Sequence, residues 1–205
     1  AYGNIFALES FIDELAALAE IDPFEFRIKN LDNPRAIEVI KTLKSKCIWE
    51  NRDQSGRVGY GLAFAQYKNS ASYYAVLAEI HKSPTEGKFR LHKLTGVIDS
   101  GHCINPDGLK NQTEGGMIQS ASWTIMEAVQ YDANGITSKD WNSYPIMRTK
   151  DVPEVEVHII NRPEEKPLGA GEAAQGPVAA AIVNALSSLL GNRVYELPLR
   201  EYFEV

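Results

Sequence analysis

Cysteine is scarce: the chain carries two, Cys47 and Cys103, far apart and outside any C-x-x-C pair. Zinc sites and iron–sulfur clusters need clustered thiolates, so neither is expected to be held by this chain. Basic residues are outnumbered, with 21 Lys and Arg against 27 Asp and Glu, for a net charge of -6. Nucleic-acid binding needs a basic stripe and is not expected. No apolar run reaches the roughly 18 residues needed to cross a bilayer as a helix. The opening Ala1-Tyr2-Gly3-Asn4 has neither an initiator Met nor a basic leader before an apolar stretch. The chain is therefore expected to be a fragment or a processed product, and its compartment stays open.

What is present suits a globular domain. Hydrophobic residues make up 44% and charged residues 23% of 205 residues, enough for a sizeable core. Residues 1–48 read as a helical lead-in. Ile5, Leu8, Phe11, Ile12, Leu15 and Leu18 recur at helical spacing, which predicts one core-facing stripe. Asp22-Pro23 and Asn33-Pro34 each start a further helix, with a side-chain cap followed by proline in the first turn. From residue 57 onward the pattern is that of an α+β core. Gly59 to Phe64, Tyr73 to Ile80 and Phe89 to Ile98 predict an antiparallel meander. One of Tyr73 and Tyr74 is expected in the core. Asn105-Pro106 opens a helix expected to run to about Val129. Its Gly115-Gly116 costs roughly 1 kcal/mol per glycine, so either another helix or a ligand is expected close to that backbone. Glu154 to Ile160 alternates as a half-buried strand, and Ala173 to Leu190 is the last helix, ending at Gly191. The expected class is α+β, with helices packed on a mainly antiparallel sheet and residues 1–205 forming one lobe.

Two segments carry the chemistry. In Pro167-Leu168-Gly169-Ala170-Gly171-Glu172, small residues deliver a glutamate to the mouth of a helix. A carboxylate there is favoured by the helix dipole alone, by about 0.3–1 kcal/mol. A phosphate loop is the competing reading. The glutamate and the missing Lys-Ser/Thr ending argue against it. In the second segment, Gln112 precedes Gly115 and Gly116, which leave room for a bulky planar ligand. A glutamine on a solvated face beside a helix crossing explains the same residues. His102 reads as a loop residue, and His81, His92 and His158 lie on strands without the spacing of metal ligands. Arg148 could reach a cofactor oxygen or a carboxylate, and a structural salt bridge is the expected role.

Together these segments resemble the xanthine dehydrogenase/aldehyde oxidase family of molybdenum hydroxylases. The resemblance is closer to the bacterial isoquinoline 1-oxidoreductase β-subunit or membrane-type aldehyde dehydrogenase branch. It rests on Glu9-Ser10-Phe11-Ile12-Asp13-Glu14-Leu15-Ala16, Asp22-Pro23, Arg27, Asn30-Leu31, Asn105-Pro106-Asp107-Gly108 and Asn111 to Gly116. It continues through Tyr144-Pro145-Ile146-Met147-Arg148, Gly169-Ala170-Gly171-Glu172 and Leu197-Pro198-Leu199. The resemblance implies a molybdenum ion on a molybdopterin cofactor, in its cytosine dinucleotide form, with Glu172 as the base that takes a proton from a metal-bound oxygen. It implies hydroxylation of an aldehyde or an N-heteroaromatic carbon. It assigns Gln112 to the pterin, with Gly115, Gly116, Ala170, Gly171 and Ala173 bordering the cofactor. No metal ligand is expected from this chain.

The family's second, upstream cofactor-binding lobe and its glycine-glutamine-rich loop are not found here. One wall of the cofactor site is thus expected from this chain and the other from an upstream lobe or subunit, with any iron–sulfur cluster in a partner subunit. Alone, the chain is expected to be inactive and to bind no molybdenum tightly. Where the family's mammalian branch has prolines after the glutamate, this chain has Ala173-Ala174-Gln175, which disfavours purine substrates. The alternative reading is a non-catalytic assembly or folding domain, from a truncated or split subunit, that does not bind molybdenum alone.

Overall fold

The computed structural model describes residues 1–205. Three helices come first: α1 (Tyr2–Leu18), α2 (Pro23–Lys29) and α3 (Pro34–Lys46). Strands β1 (Val58–Gln66), β2 (Tyr73–Lys82) and β3 (Phe89–Asp99) follow, then α4 (Pro106–Ile125). A small hairpin, β4 (Tyr131–Asp132) and β5 (Gly135–Ile136), precedes β6 (Glu154–Ile160) and α5 (Gln175–Leu190). The expected caps form: Asp22 accepts from the N–H groups of Phe24 and Glu25, and Asn33 from those of Arg35 and Ala36. Helix α5 stops at Gly191 in the left-handed conformation (φ 72°), a backbone state that glycine adopts without penalty.

The sheet has the order β1-β2-β3-β6. The first three strands form the expected antiparallel meander, and β6 adds to β3 in parallel. Both faces of the sheet are covered. Phe24, Ile40, Leu43, Leu62, Tyr73, Ala75 and Leu77 pack on the side of α2 and α3. Tyr74, Val76, Ala78 and Ile80 pack with residues of α4 and α5 on the other. Alternating residues of β2 therefore enter two different cores, and both Tyr73 and Tyr74 are buried, one more than the sequence suggested. The close-packed glycines of β1 are explained by α5: a Cβ on Gly61 would collide with the backbone of Ala181 and Ala185.

Three expectations need correction. Most of the stripe on α1 does not face the core: Leu8, Phe11, Leu15 and Leu18 are exposed, Ile5 and Ile12 are half-buried, and Glu9, Ser10 and Ala16 are the buried residues. The reason is a buried ion pair. Arg27 Nε lies 2.9 Å from Glu9 Oε2, and that oxygen also accepts from the Phe64 N–H at 2.8 Å. Holding Glu9 inward rotates the apolar stripe out. Second, Arg148 makes no salt bridge and stands exposed. Third, α4 ends at Ile125 rather than near Val129.

Candidate cofactor-binding corner and base

One end of the sheet gathers the C-terminal ends of β1, β3 and β6 and the start of β2. Residues 161–174 run across this end before α5 begins. They are tied down by backbone bonds from Arg162 N to Gly101 O (3.1 Å) and from Leu168 N to Ser100 O (2.7 Å). The Ser72 hydroxyl donates to Gly169 O at 2.8 Å. These anchors fix where Gly169 to Glu172 can go.

Helix α4 meets that loop. The Gln112 amide nitrogen donates to Gly171 O at 2.7 Å, which joins the two sequence segments next to Glu172. The Tyr67 hydroxyl, from the turn after β1, donates to Glu172 Oε2 at 2.6 Å. This bond raises the Tyr67 hydroxyl above the ordinary tyrosine range, because losing its proton would set two negative oxygens face to face. No hydrogen bond engages Glu172 Oε1, so that oxygen is available to a ligand. Glu172 is exposed in this chain and borders a cavity of ≈ 170 Å³ with Ala1, Asn4, Ile5 and Tyr67.

The remaining candidates divide. Gly115 and Gly171 face open space, with nothing within 4 Å of an added Cβ. Gly116 is buried against the start of α5, where an added Cβ would meet Gln175 Oε1 at 3.2 Å and Ala174 Cβ at 3.3 Å. Of the two sequence readings of the glycine pair, a helix contact describes Gly116, and space for a ligand describes Gly115. Ala170 is half-buried, and Ala173 lies in the core and can border a ligand only through its backbone. Two residues were missed in the sequence. Tyr67 sits 105 positions from Glu172, and no local pattern marks it. Gln175 Oε1 is buried without a partner, beside its own amide bond to Gln119; only the fold shows this.

One side of this corner is open to an incoming group. Open approaches at Gly115 and Gly171, the outward-lying Gln112 and the free Glu172 Oε1 supply a glycine-floored surface with polar donors and acceptors. A concavity of ≈ 470 Å³ lies at the opposite end of the sheet and contains none of these residues.

Comparison with known proteins identifies the family; the family match ends before Glu172. Residues 7–153 match the molybdopterin cofactor-binding domain model, a span that includes Gln112, Gly115 and Gly116. The chain is 36% identical over 213 residues to a nicotinate dehydrogenase subunit of Pseudomonas putida, covering 97% of this chain and 18% of that one. It is 30% identical over 198 residues to the isoquinoline 1-oxidoreductase β-subunit of Brevundimonas diminuta, covering 95% and 25%. It thus spans a quarter or less of these relatives' lengths. Its fold resembles quinoline 2-oxidoreductase of Pseudomonas putida 86, with TM-score 0.82 and 13% identity, over 93% of this chain and 49% of that one. It also resembles the aldehyde oxidoreductase of Desulfovibrio gigas, with TM-score 0.79 and 15% identity, over 97% and 39%. The chain belongs to the molybdopterin cofactor-binding domain family of the molybdenum hydroxylases.

Proposed function

We propose that this chain supplies one wall of a molybdopterin site in an oxidoreductase that hydroxylates an aldehyde or an N-heteroaromatic carbon, with Glu172 as the catalytic base. The observation that carries this reading is the Gln112–Gly171 hydrogen bond, which sets the cofactor-contacting helix beside the loop that presents Glu172. When bound, the molybdenum cofactor accepts the electrons of substrate oxidation. The chain's own residues do the rest. Gln112 positions the loop and offers its carboxamide oxygen to the pterin. Gly115 and the backbone of Ala170, Gly171 and Ala173 let a planar group approach. Tyr67 holds one carboxylate oxygen of Glu172 and leaves Oε1 to take a proton. General bases of this kind contribute roughly 10²–10⁴-fold to rate.

The exposure of Glu172 supports a second wall contributed from outside this chain, since excluding water strengthens each electrostatic contact in a site. The exposed apolar stripe of α1 is of the kind that covered surfaces carry. On this reading an upstream cofactor-binding lobe or subunit completes the pocket and binds the cytosine dinucleotide form of the pterin with it. An iron–sulfur subunit carries electrons away. The relatives' names support nitrogen heterocycles as the substrate class: one is a nicotinate dehydrogenase and another an isoquinoline oxidoreductase.

The wall is tested by Gly115→Trp, made in the complete assembly and in this chain alone. The added side chain meets open space here, so the chain alone keeps its melting temperature or rises slightly. The assembly loses most of its molybdenum and pterin, read by metal analysis and pterin fluorescence. Full cofactor content in that variant would contradict the proposal.

A further inference from the structure

The far end of the sheet holds a second cluster of chemistry-bearing residues. His81 on β2 and His92 on β3 stack, with ring centroids 4.1 Å apart and planes at 24°. His81 Nε2 lies 2.6 Å from Glu79 Oε1, and His92 Nε2 lies 3.9 Å from the same oxygen. One potential ligand atom from each residue falls within 4.8 Å of the other two. Glu79 and His81 share β2 and the second imidazole comes from β3, so no local pattern in the sequence marks the group.

A register shift creates the grouping. Glu79 faces Lys93 while Ile80 faces Leu91, leaving His92 as the extra residue of a β-bulge. Bulges bend the strand and re-aim a side chain. Neighbouring cations leave Glu79 free. Lys93 is held by Glu154 at 2.8 Å and Glu156 at 2.7 Å, and Arg90 lies 3.6 Å from Glu204. The ≈ 470 Å³ concavity is lined by both imidazoles.

We propose that Glu79, His81 and His92 bind one divalent transition-metal ion of the zinc class, with a coordination position open to that concavity. Two imidazoles and one carboxylate suit Zn²⁺ and its neighbours, whereas Ca²⁺ and Mg²⁺ take all-oxygen sets. The distances fit as well. Tetrahedral Zn²⁺ with bonds of about 2.0–2.1 Å places ligand atoms about 3.4 Å apart. The observed gaps of 2.6 and 3.9 Å straddle that value, and binding turns the two imidazoles out of their stack so that both nitrogens face one ion. The three residues come from both sides of the bulge, so the metal staples β2 to β3 where their ladder is broken. This site lies at the opposite end of β2 from Tyr73, and nothing in it depends on the molybdenum reading.

The test is titration of the full chain with ZnCl₂ by calorimetry, and with CoCl₂ by visible absorption. One equivalent of Zn²⁺ binds, and Co²⁺ shows the intense visible band of a four-coordinate site. His92→Ala and Glu79→Gln each weaken binding by more than about tenfold. His158→Ala, on a different strand and outside the cluster, leaves it unchanged. Both altered side chains of the cluster are partly exposed, and circular dichroism verifies that the variants fold. An absence of Zn²⁺ binding by the unaltered chain, or equal affinity in His92→Ala, would overturn the proposal.

Discussion

Asp99 shows how single side chains hold the loop that carries Glu172 in place. Its carboxyl is fully buried at the end of β3. Burial alone would raise it. Hydrogen bonds from Arg35 at 3.0 and 2.5 Å, Arg162 at 2.6 Å and the Gly101 N–H at 2.9 Å prevail and hold it below the ordinary aspartate range. The folded state therefore keeps this group ionised to lower pH than the unfolded chain does. Its stabilisation is fully present above the unfolded value of about 3.9 and is lost as pH falls from there through the lower folded value. Asp99→Asn should destabilise the chain at neutral pH, by on the order of 2 kcal/mol because the two arginines retain some water. It should also flatten the acid limb of stability, read by urea unfolding at several pH values. An acid limb as steep as that of the unaltered chain would contradict the assignment. Tyr67 acts on Glu172 by one hydrogen bond, so Tyr67→Phe should lower kcat/KM of the assembled enzyme by at most about tenfold. A larger loss would make Tyr67 a participant in the chemistry and not an aid to positioning.

Among the elements, α1 shows where periodicity succeeds and where it fails. Spacing alone identifies the helix, but it cannot say which face is inside. The face is chosen by Glu9, whose partner Arg27 lies on α2, and by Asn184 on α5, which reaches Glu9 O and Leu62 O. Breaking a buried pair on one side costs more than exposing a leucine. Leu8→Gln and Leu15→Gln should thus change the stability of the isolated chain by no more than about 0.5 kcal/mol. Phe24→Ala, in the core under α2, should cost about 3–5 kcal/mol. Thermal or denaturant unfolding separates these cases, and similar costs for the two classes would show that the α1 stripe packs inward after all. The proline-capped starts of α2, α3 and α4 were legible because their signals are local. The meander was legible too, because turn residues separate its strands. The parallel docking of β6 on β3 was not, since a strand pattern carries no information about its partner. The histidine cluster escaped for the same reason: its register depends on a bulge that only the paired strands reveal.

At the scale of the whole molecule, two faces of one sheet carry two cores, and the strand ends between them hold the candidate site. Gln112 and Glu172 could be singled out in the sequence, yet their meeting through Gly171 O is a property of the folded chain. The corner is one-sided. Its carboxylate is exposed and half restrained by Tyr67, and this chain spans 18% and 25% of the two relatives compared. Water exclusion must then come from whatever covers the corner, and the isolated chain is predicted to show no turnover. The most direct measurement is the rate at which substrate reduces the complete assembly in a single turnover, for Glu172→Gln against the unaltered protein at matched molybdenum content. Removal of the base should slow that step by about 10²–10⁴-fold. An undiminished rate with cofactor in place would contradict the account.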